Sequence, residues 1–261
     1  MLSYFPVVAV IFALTLGVGL FVLLLGGRRI GNRRAAADPD GSHAGLGAVE
    51  GAVFGMLGLL IAFTFSGAAG RFDERRILIV TEVNNIGTAW LRIDLLAAAD
   101  QAPMRQMFRD YVDARLATYA NFLSFDRSFA ANAEALRQQN AIWQLAVPAA
   151  ARAGDGTAAS MLLLPALNDR FDIAEMRRRV TTYHPPLVIF FMLATFAMVG
   201  ALLAGYGMSK GRALSLTHAI GLALVLALTV YVIVDIEYPR LGFIRVDAAD
   251  QAMIDLRRGM N

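Results

Sequence analysis

The chain has 261 residues, of which 57% are hydrophobic and only 17% are charged. An ordinary soluble domain is about half apolar and about a quarter charged, so this composition argues against a typical water-soluble fold. The absence of cysteine excludes disulfides, thiolate metal sites and thiol nucleophiles, and the net charge of +3, without a block of basic residues, gives no indication of nucleic-acid binding.

The first apolar run covers about residues 7–26 and is long enough for a helix to cross roughly 30 Å of hydrocarbon. No basic side chain precedes it, and two arginine pairs follow it at 28–29 and 33–34. A secretory signal peptide has the opposite arrangement, with a basic start and a shorter apolar core. The run is therefore interpreted as a retained membrane anchor.

The second apolar run covers about residues 44–69 and carries small residues at intervals of three or four. Small side chains at this spacing let helix backbones approach closely in lipid. This pattern fits packing against the first helix or against a second subunit equally well. The small residues are Gly47, Gly51, Gly55, Gly58, Ala62 and Ser66.

Residues 70–183 carry regularly spaced charges and form the predicted helical extramembrane domain. Apolar residues at helical spacing continue the second span to about residue 99. Pro103 is expected to break the chain before a helix over 104–124, and Pro148 to end a helix over 127–145. A fourth helix is predicted from about 157 to 183.

Two further apolar runs, at about 186–206 and 213–234, are joined by a tight basic loop. Residues 237–261 form a short amphipathic tail. The predicted fold is therefore an all-α integral membrane protein. Four transmembrane helices form two hairpins, 1–69 and 184–236, which flank the helical domain.

The short loops within the hairpins are both positive, and positive loops usually lie in the cytoplasm. By parity this places the termini and the helical domain on the other side of the membrane. Arginines at 71, 75–76 and 177–179 flank the spans on the domain side and oppose this orientation.

Enzyme signatures are missing: the chain has no phosphate-binding glycine loop, no His-Glu-x-x-His and no nucleophile elbow. We expect no catalytic residue, no metal site and no cofactor. Intramembrane ionisable groups are functional candidates because an unpaired charge in hydrocarbon is costly. Glu50, about two turns into the second run, is interpreted as part of a pore mouth or as the partner of an arginine in the first loop.

Two stripes on the second helix are candidates for an ion path. Leu57, Ile61 and Phe65 recur every four residues, which is typical of a lipid-facing or core stripe but, in a ring of subunits, forms a hydrophobic constriction. Further along lies a polar stripe, which is either an ordinary solvated face or the lining of a vestibule. Its members are Thr81, Asn85, Thr88 and Arg92.

Four segments together resemble the bacterial bestrophin-like family of uncharacterised membrane proteins, over essentially the whole chain. They are GLLIAFTFS at 58–66, RFDERR at 71–76, EVNNIGTAWLR at 82–92 and DIEYPRLGFIRV at 235–246. The last contains the C-terminal motif formed by Asp235, Glu237, Pro239 and Arg240.

The family name implies kinship with bestrophins, which are pentameric anion channels whose second span lines the pore. The resemblance implies a constriction at Leu57, Ile61 and Phe65. An alignment on Phe72 moves it toward Gly51, Gly55 and Leu59. Arg71 and Arg75 are then expected near one mouth of the pore. The implied setting is the bacterial inner membrane, and the implied partners are membrane lipid, further copies of the chain and small ions.

Three functions remain open from the sequence. The first is an oligomeric bestrophin-like channel for small ions, with anions favoured. The second is a non-conducting scaffold or sensor that binds a partner through its helical domain. The third is a proton-driven, stator-like assembly, for which Glu50 is the titratable candidate.

Overall fold

The structure, a computed structural model, describes residues 5–38, 46–120, 125–153, 157–210, 216–240 and 242–260. Within these ranges the secondary structure is helical throughout, so the all-α prediction is confirmed. The helices are α1 Phe5–Ala37, α2 Leu46–Arg92, α3 Ala98–Ala120, α4 Phe125–Arg152, α5 Thr157–Val180, α6 Leu187–Gly207, α7 Leu216–Glu237 and α8 Asp247–Arg258. Short 3₁₀ turns follow α2 at Ile93–Leu95 and α6 at Met208–Lys210.

Four helices in the described ranges are long and apolar enough to cross a membrane, which confirms the four apolar helices expected from hydropathy. They are Val10–Ala37, Leu46–Leu95, Leu187–Gly207 and Leu216–Glu237. The second is the longest because α2 continues without a break from the apolar run into the charged sequence beyond it.

The chain divides into two compact units. The membrane unit consists of Met1–Asp73 and His184–Arg245, and the helical unit consists of Glu74–Tyr183 and Val246–Asn261. The tail after residue 245 thus belongs to the helical unit, where α8 packs against α3.

The backbones of α1 and α6 meet within the membrane unit at two glycines. A Cβ on Gly27 would lie 1.9 Å from the carbonyl oxygen of Leu202, and one on Gly205 would lie 1.9 Å from that of Leu24. Any side chain at either position would displace the opposing backbone, so these glycines allow the two helices to touch. The α1 helix also packs along α7.

The core of the helical unit is formed by α3, α4, α5 and α8 together with the last turns of α2. Trp90 of α2 packs against Phe108 of α3 with ring centroids 6.3 Å apart. Across this core Ile142 of α4 and Leu163 of α5 are also fully buried. Burial of these apolar side chains is the main driving force for assembly of the unit.

Two prolines were expected to interrupt helices, and both expectations are wrong. Pro103 lies inside α3, which begins at Ala98, and Pro148 lies inside α4, which continues to Arg152. A proline removes one backbone donor and crowds the preceding turn. The residue that follows each proline, Met104 or Ala149, is fully buried, so tertiary packing holds the helix directly after the proline.

Candidate functional site

The inner face of α2 in the membrane unit is built from Leu57, Thr64 and Ala68, all of which are buried. Leu57 is only 2% exposed and belongs to the same apolar cluster as Leu193 of α6. The Thr64 hydroxyl donates to the carbonyl of Leu60 within its own helix, so this polar side chain is satisfied without an external partner.

This packing changes the interpretation of the predicted constriction. Leu57 is enclosed by its own chain, and Ile61 is partly buried against the same cluster. Phe65 differs from them, since 44% of its surface is exposed. Residues that are four positions apart on an α-helix differ by about 40° around its axis. Phe65, two such steps after Leu57, therefore lies outside the packed face.

The outer face of α2 is exposed along nearly its whole length. Eleven positions, spaced by three or four residues, fall on one side of the helix and are all exposed. They are Gly55, Leu59, Ala62, Ser66, Gly70, Asp73, Ile77, Val80, Asn84, Thr88 and Leu91. We call this surface the outer stripe.

The predicted small-residue face largely overlaps this exposed side. A Cβ built at Gly47, Gly51, Gly55 or Gly58 would meet no other atom of the described chain within 4 Å. Ala62 and Ser66 are exposed as well. Packing of this face against α1 is therefore not what the described residues show, and contact with a second subunit stays a prediction.

Arg71 lies at the end of the apolar part of α2 and binds Glu237 at the end of α7. Its Nε donates to both carboxylate oxygens at 3.1 and 3.0 Å, and its NH2 group donates to Oε2 at 2.6 Å. Glu237 is fully buried and also lies 2.9 Å from Nδ1 of His184, whose ring stacks on Tyr238. This cluster ties three segments of the membrane unit together.

Arg75, the second arginine expected at a pore mouth, is also engaged. Its side chain is 7% exposed and donates to the carbonyl oxygen of Tyr183 at 3.1 Å within the helical unit. Neither Arg71 nor Arg75 is therefore an open cationic side chain. The guanidinium groups hold chain segments together instead.

The C-terminal motif holds the segment that follows α7 against the end of that helix. Asp235 Oδ2 accepts backbone N–H groups from Phe243 and Ile244 at 3.1 and 3.0 Å. A Cβ on Gly242 would lie 1.3 Å from Asp235 Oδ1, so glycine is needed at that position. Pro239 is buried and Arg240 is half-buried between these two parts of the motif.

The predicted polar stripe of α2 divides into two parts in the helical unit. Asn85 donates to the carbonyl of Asp169 at 3.2 Å and Arg92 to that of Leu162 at 2.7 Å, so both are bound to α5. Thr81 donates to the carbonyl of Ile77 in its own helix, and Thr88 is exposed. Only Thr88 belongs to the outer stripe.

A buried charge network that the sequence interpretation missed lies in the helical unit. Glu82 of α2 is fully buried between Arg115 of α3 and Arg177 of α5, each of which donates to it at 2.7 Å. Arg177 also binds Asp250 of α8 at 3.0 Å. Four helices of this unit therefore share one set of ion pairs. Burial raises the pKa of neighbouring Tyr119 to about 12.

Arg170 is a second buried cation, and it lacks a carboxylate partner among the described residues. It is fully buried, and its guanidinium lies 4.1 Å from the ring centre of Tyr111, 4.3 Å from Phe171 and 5.1 Å from Phe108. None of its three nitrogens has a hydrogen-bond partner in the described chain. Burial lowers the pKa of Arg170 to about 10.

Glu50 lies in the first turns of α2, next to the end of α6. Its Oε1 is buried and has no hydrogen-bond partner among the described residues. It borders an open pocket of about 530 Å³, lined also by Phe54, Ala204, Gly207, Met208 and Leu222. The pairing of Glu50 with an arginine of the first loop is thus not seen where the loop is described.

The described residues contain no group of three or more histidine, aspartate or glutamate side chains arranged to hold a metal ion. Asp235 and Glu237, the two acids of the C-terminal motif, instead bind backbone N–H groups and Arg71, respectively.

These features define a helical membrane protein with four apolar helices and a separate helical unit. A family model described as Bestrophin-like domain matches residues 18–250, and the chain belongs to that family. No curated protein and no solved structure matches the chain.

Proposed function

We propose that this protein is an oligomeric bestrophin-like channel for small ions, with anions favoured, and that the outer stripe of α2 lines the path. The observation that carries the proposal is the stripe itself. One side of α2 is anchored by Leu57, Thr64 and the Arg71–Glu237 pair, while the opposite side stays exposed from Gly55 to Leu91.

An exposed stripe on one chain encloses a path only when several copies are arranged around an axis. The small residues on this side of α2 support such an arrangement, because they allow neighbouring helices to approach closely in lipid. Closed rotational symmetry is the usual outcome for identical subunits. By kinship with bestrophins we propose a pentamer, with the four apolar helices inserted as two hairpins.

Leu59, rather than Leu57, is the residue that we propose for the constriction. Within the segment 55–70 it is the one bulky side chain on the stripe, where its neighbours are Gly55, Ala62 and Ser66. A ring of leucines can make a pore so narrow and apolar that water is excluded from it. Small changes in the width of that ring then open or close the pore to ions. Phe65 lies at the edge of this surface.

The preference for anions is supported by family kinship, and the one charged residue of the outer stripe, Asp73, lies beyond its apolar part. Segment 55–70 contains no charged residue, so no acidic ring opposes an anion there.

Ion flux through the full-length protein in liposomes tests the proposal. Leu59→Ala should increase chloride flux about tenfold or more, because it widens an apolar constriction. Leu57→Ala is the matched control, since the same change two residues away removes a side chain buried against α6 and should leave chloride flux near the native level. Absence of flux from a correctly folded oligomer would reject the channel.

The orientation is proposed from the positive loops, which we place in the cytoplasm. Because the chain has no cysteine, single-cysteine variants give clean labelling. Arg33→Cys should be protected from an impermeant maleimide added outside intact cells, and Thr88→Cys should react. The reverse result places the helical unit in the cytoplasm, as the arginines at 71, 75–76 and 177–179 favour.

A scaffold function is the second candidate, and an exposed apolar stripe on α4 favours it. Phe129, Leu136, Trp143 and Val147 follow one another at intervals of seven and four residues and are 39–67% exposed. Such a row is typical of a helix that packs against a partner. Phe129→Ser with Leu136→Ser should abolish partner binding and leave ion flux intact.

A further inference from the structure

We propose that the pocket beside Glu50 binds the headgroup of a membrane phospholipid that carries a primary ammonium, such as an ethanolamine lipid. This inference is independent of channel function, because it concerns lipid bound at the edge of the membrane unit. Its basis is a carboxylate oxygen that has no hydrogen-bond donor among the described residues, beside a mostly apolar pocket of a size that fits a small ligand.

The position of Glu50 is electrostatically unfavourable unless something positive binds there. A Cβ on Gly207 would lie 2.4 Å from Glu50 Oε1, so the carboxylate approaches the last turn of α6 at a point where only glycine leaves room. The C-terminal end of a helix carries partial negative charge. The backbone N–H of Met208, which is nearest to that end, donates to Ala204 and Tyr206 within the turn.

A buried carboxylate oxygen without a hydrogen-bond donor costs free energy, and a cation that donates N–H groups removes the cost. The pocket beside it has a volume of about 530 Å³. This lies within the range of roughly 300–1,000 Å³ that is usual for small-molecule sites. Its other walls are mostly apolar, as a small organic cation attached to a lipid requires.

A primary ammonium supplies the missing donors, because its N–H groups bind the carboxylate of Glu50. Glu50 stands near the ends of α2 and α6, where headgroups lie. A choline headgroup offers no N–H to a carboxylate, and a glycerol headgroup offers no cation. The chemistry therefore selects the ethanolamine type among common phospholipids.

The test is native mass spectrometry of the full-length protein in detergent, titrated with short-chain phosphatidylethanolamine, phosphatidylcholine and phosphatidylglycerol. The ethanolamine lipid should bind about tenfold more tightly than the other two, as expected for one charge-assisted hydrogen-bonded contact. Glu50→Gln should remove this preference. Glu74→Gln, an exposed glutamate on the same helix, should retain it.

Ala204→Phe provides a second variant that fills the pocket without changing its charge, and it should reduce ethanolamine-lipid binding to the level of Glu50→Gln. Equal binding of the three lipids, or an unchanged preference in Glu50→Gln, would overturn the proposal. Free phosphoethanolamine identifies the source of the ligand. If free phosphoethanolamine displaces the ethanolamine lipid when the two are present at equal concentration, the assignment to a membrane lipid is overturned.

Discussion

Arg71 and Glu237 stand 166 residues apart in the sequence and form a two-pronged ion pair, with the shortest N–O distance at 2.6 Å. The pair joins the end of the apolar part of α2 to the last turn of α7. Because Glu237 is fully buried, its charge depends on the groups around it for compensation. The pair therefore fixes α2 at the point where its apolar sequence ends.

Arg71→Met should lower the free energy of unfolding by about 2 kcal/mol, since it removes a charge-assisted contact from a buried carboxylate. Denaturation of the purified protein in detergent measures this. Arg178→Met is the control. Its ion pair with Glu175 has similar distances but is exposed, so its loss should cost less than about 0.5 kcal/mol. Equal effects of the two changes would contradict a structural role for Arg71.

Two adjacent glycines of α1 provide a test of the contact between α1 and α6. Gly27→Ala places a Cβ 1.9 Å from the backbone oxygen of Leu202, whereas Gly26→Ala meets nothing within 4 Å. The first change should destabilise the protein by about 3 kcal/mol through overpacking. The second should be neutral or stabilising by up to about 1 kcal/mol, because alanine favours the helix. Thermal unfolding in detergent distinguishes them.

The same substitution at two buried arginines should have opposite effects. Arg115→Met removes one of the partners of buried Glu82 and should cost about 3–5 kcal/mol. Arg170→Met removes a cation that has no hydrogen-bond partner in the described chain and should leave stability unchanged or raised by about 1 kcal/mol. A large loss for Arg170→Met would mean that its contacts with three aromatic rings outweigh the cost of burial.

The stability difference between Arg170→Met and the native chain should depend on pH. Burial lowers the pKa of Arg170 to about 10, below its ordinary value, so the unfolded chain binds the proton more tightly. The native chain therefore gains stability as the pH rises through about 10. Any advantage of Arg170→Met at neutral pH should decrease between about pH 9 and pH 11. A difference that is constant over that interval would contradict this assignment.

The four apolar helices and the continuation of α2 beyond its apolar segment could be predicted, because hydropathy and helical periodicity are read from residues that are close together in the sequence. Neither was sufficient for the contacts that hold α2 in place. Arg115 and Arg177 bind Glu82 across 33 and 95 residues of sequence, and no local pattern connects them. The tyrosines beside Arg115 on α3 were the only local indication of a polar core.

Glycine spacing predicted that helices of this protein would approach closely, but the close approach occurs elsewhere. The repeated glycines of α2 meet nothing in the described chain, whereas Gly27 and Gly205, which also stand four residues from small neighbours at Gly31 and Ala201, meet backbone directly. Spacing along one helix indicates which surface is small. The location of the opposing helix depends on the rest of the fold.

The backbone contact at Gly27 and Gly205 has a consequence for how the membrane unit can move. At these two positions no side chain separates the backbones of α1 and α6, so sliding of one helix past the other should be strongly restricted there. By contrast, α2 is held through the side chains of Phe54 and Leu57 against Gly200, and side chains can repack. Any gating motion within this unit should therefore be a rotation or tilt of α2 against a fixed frame.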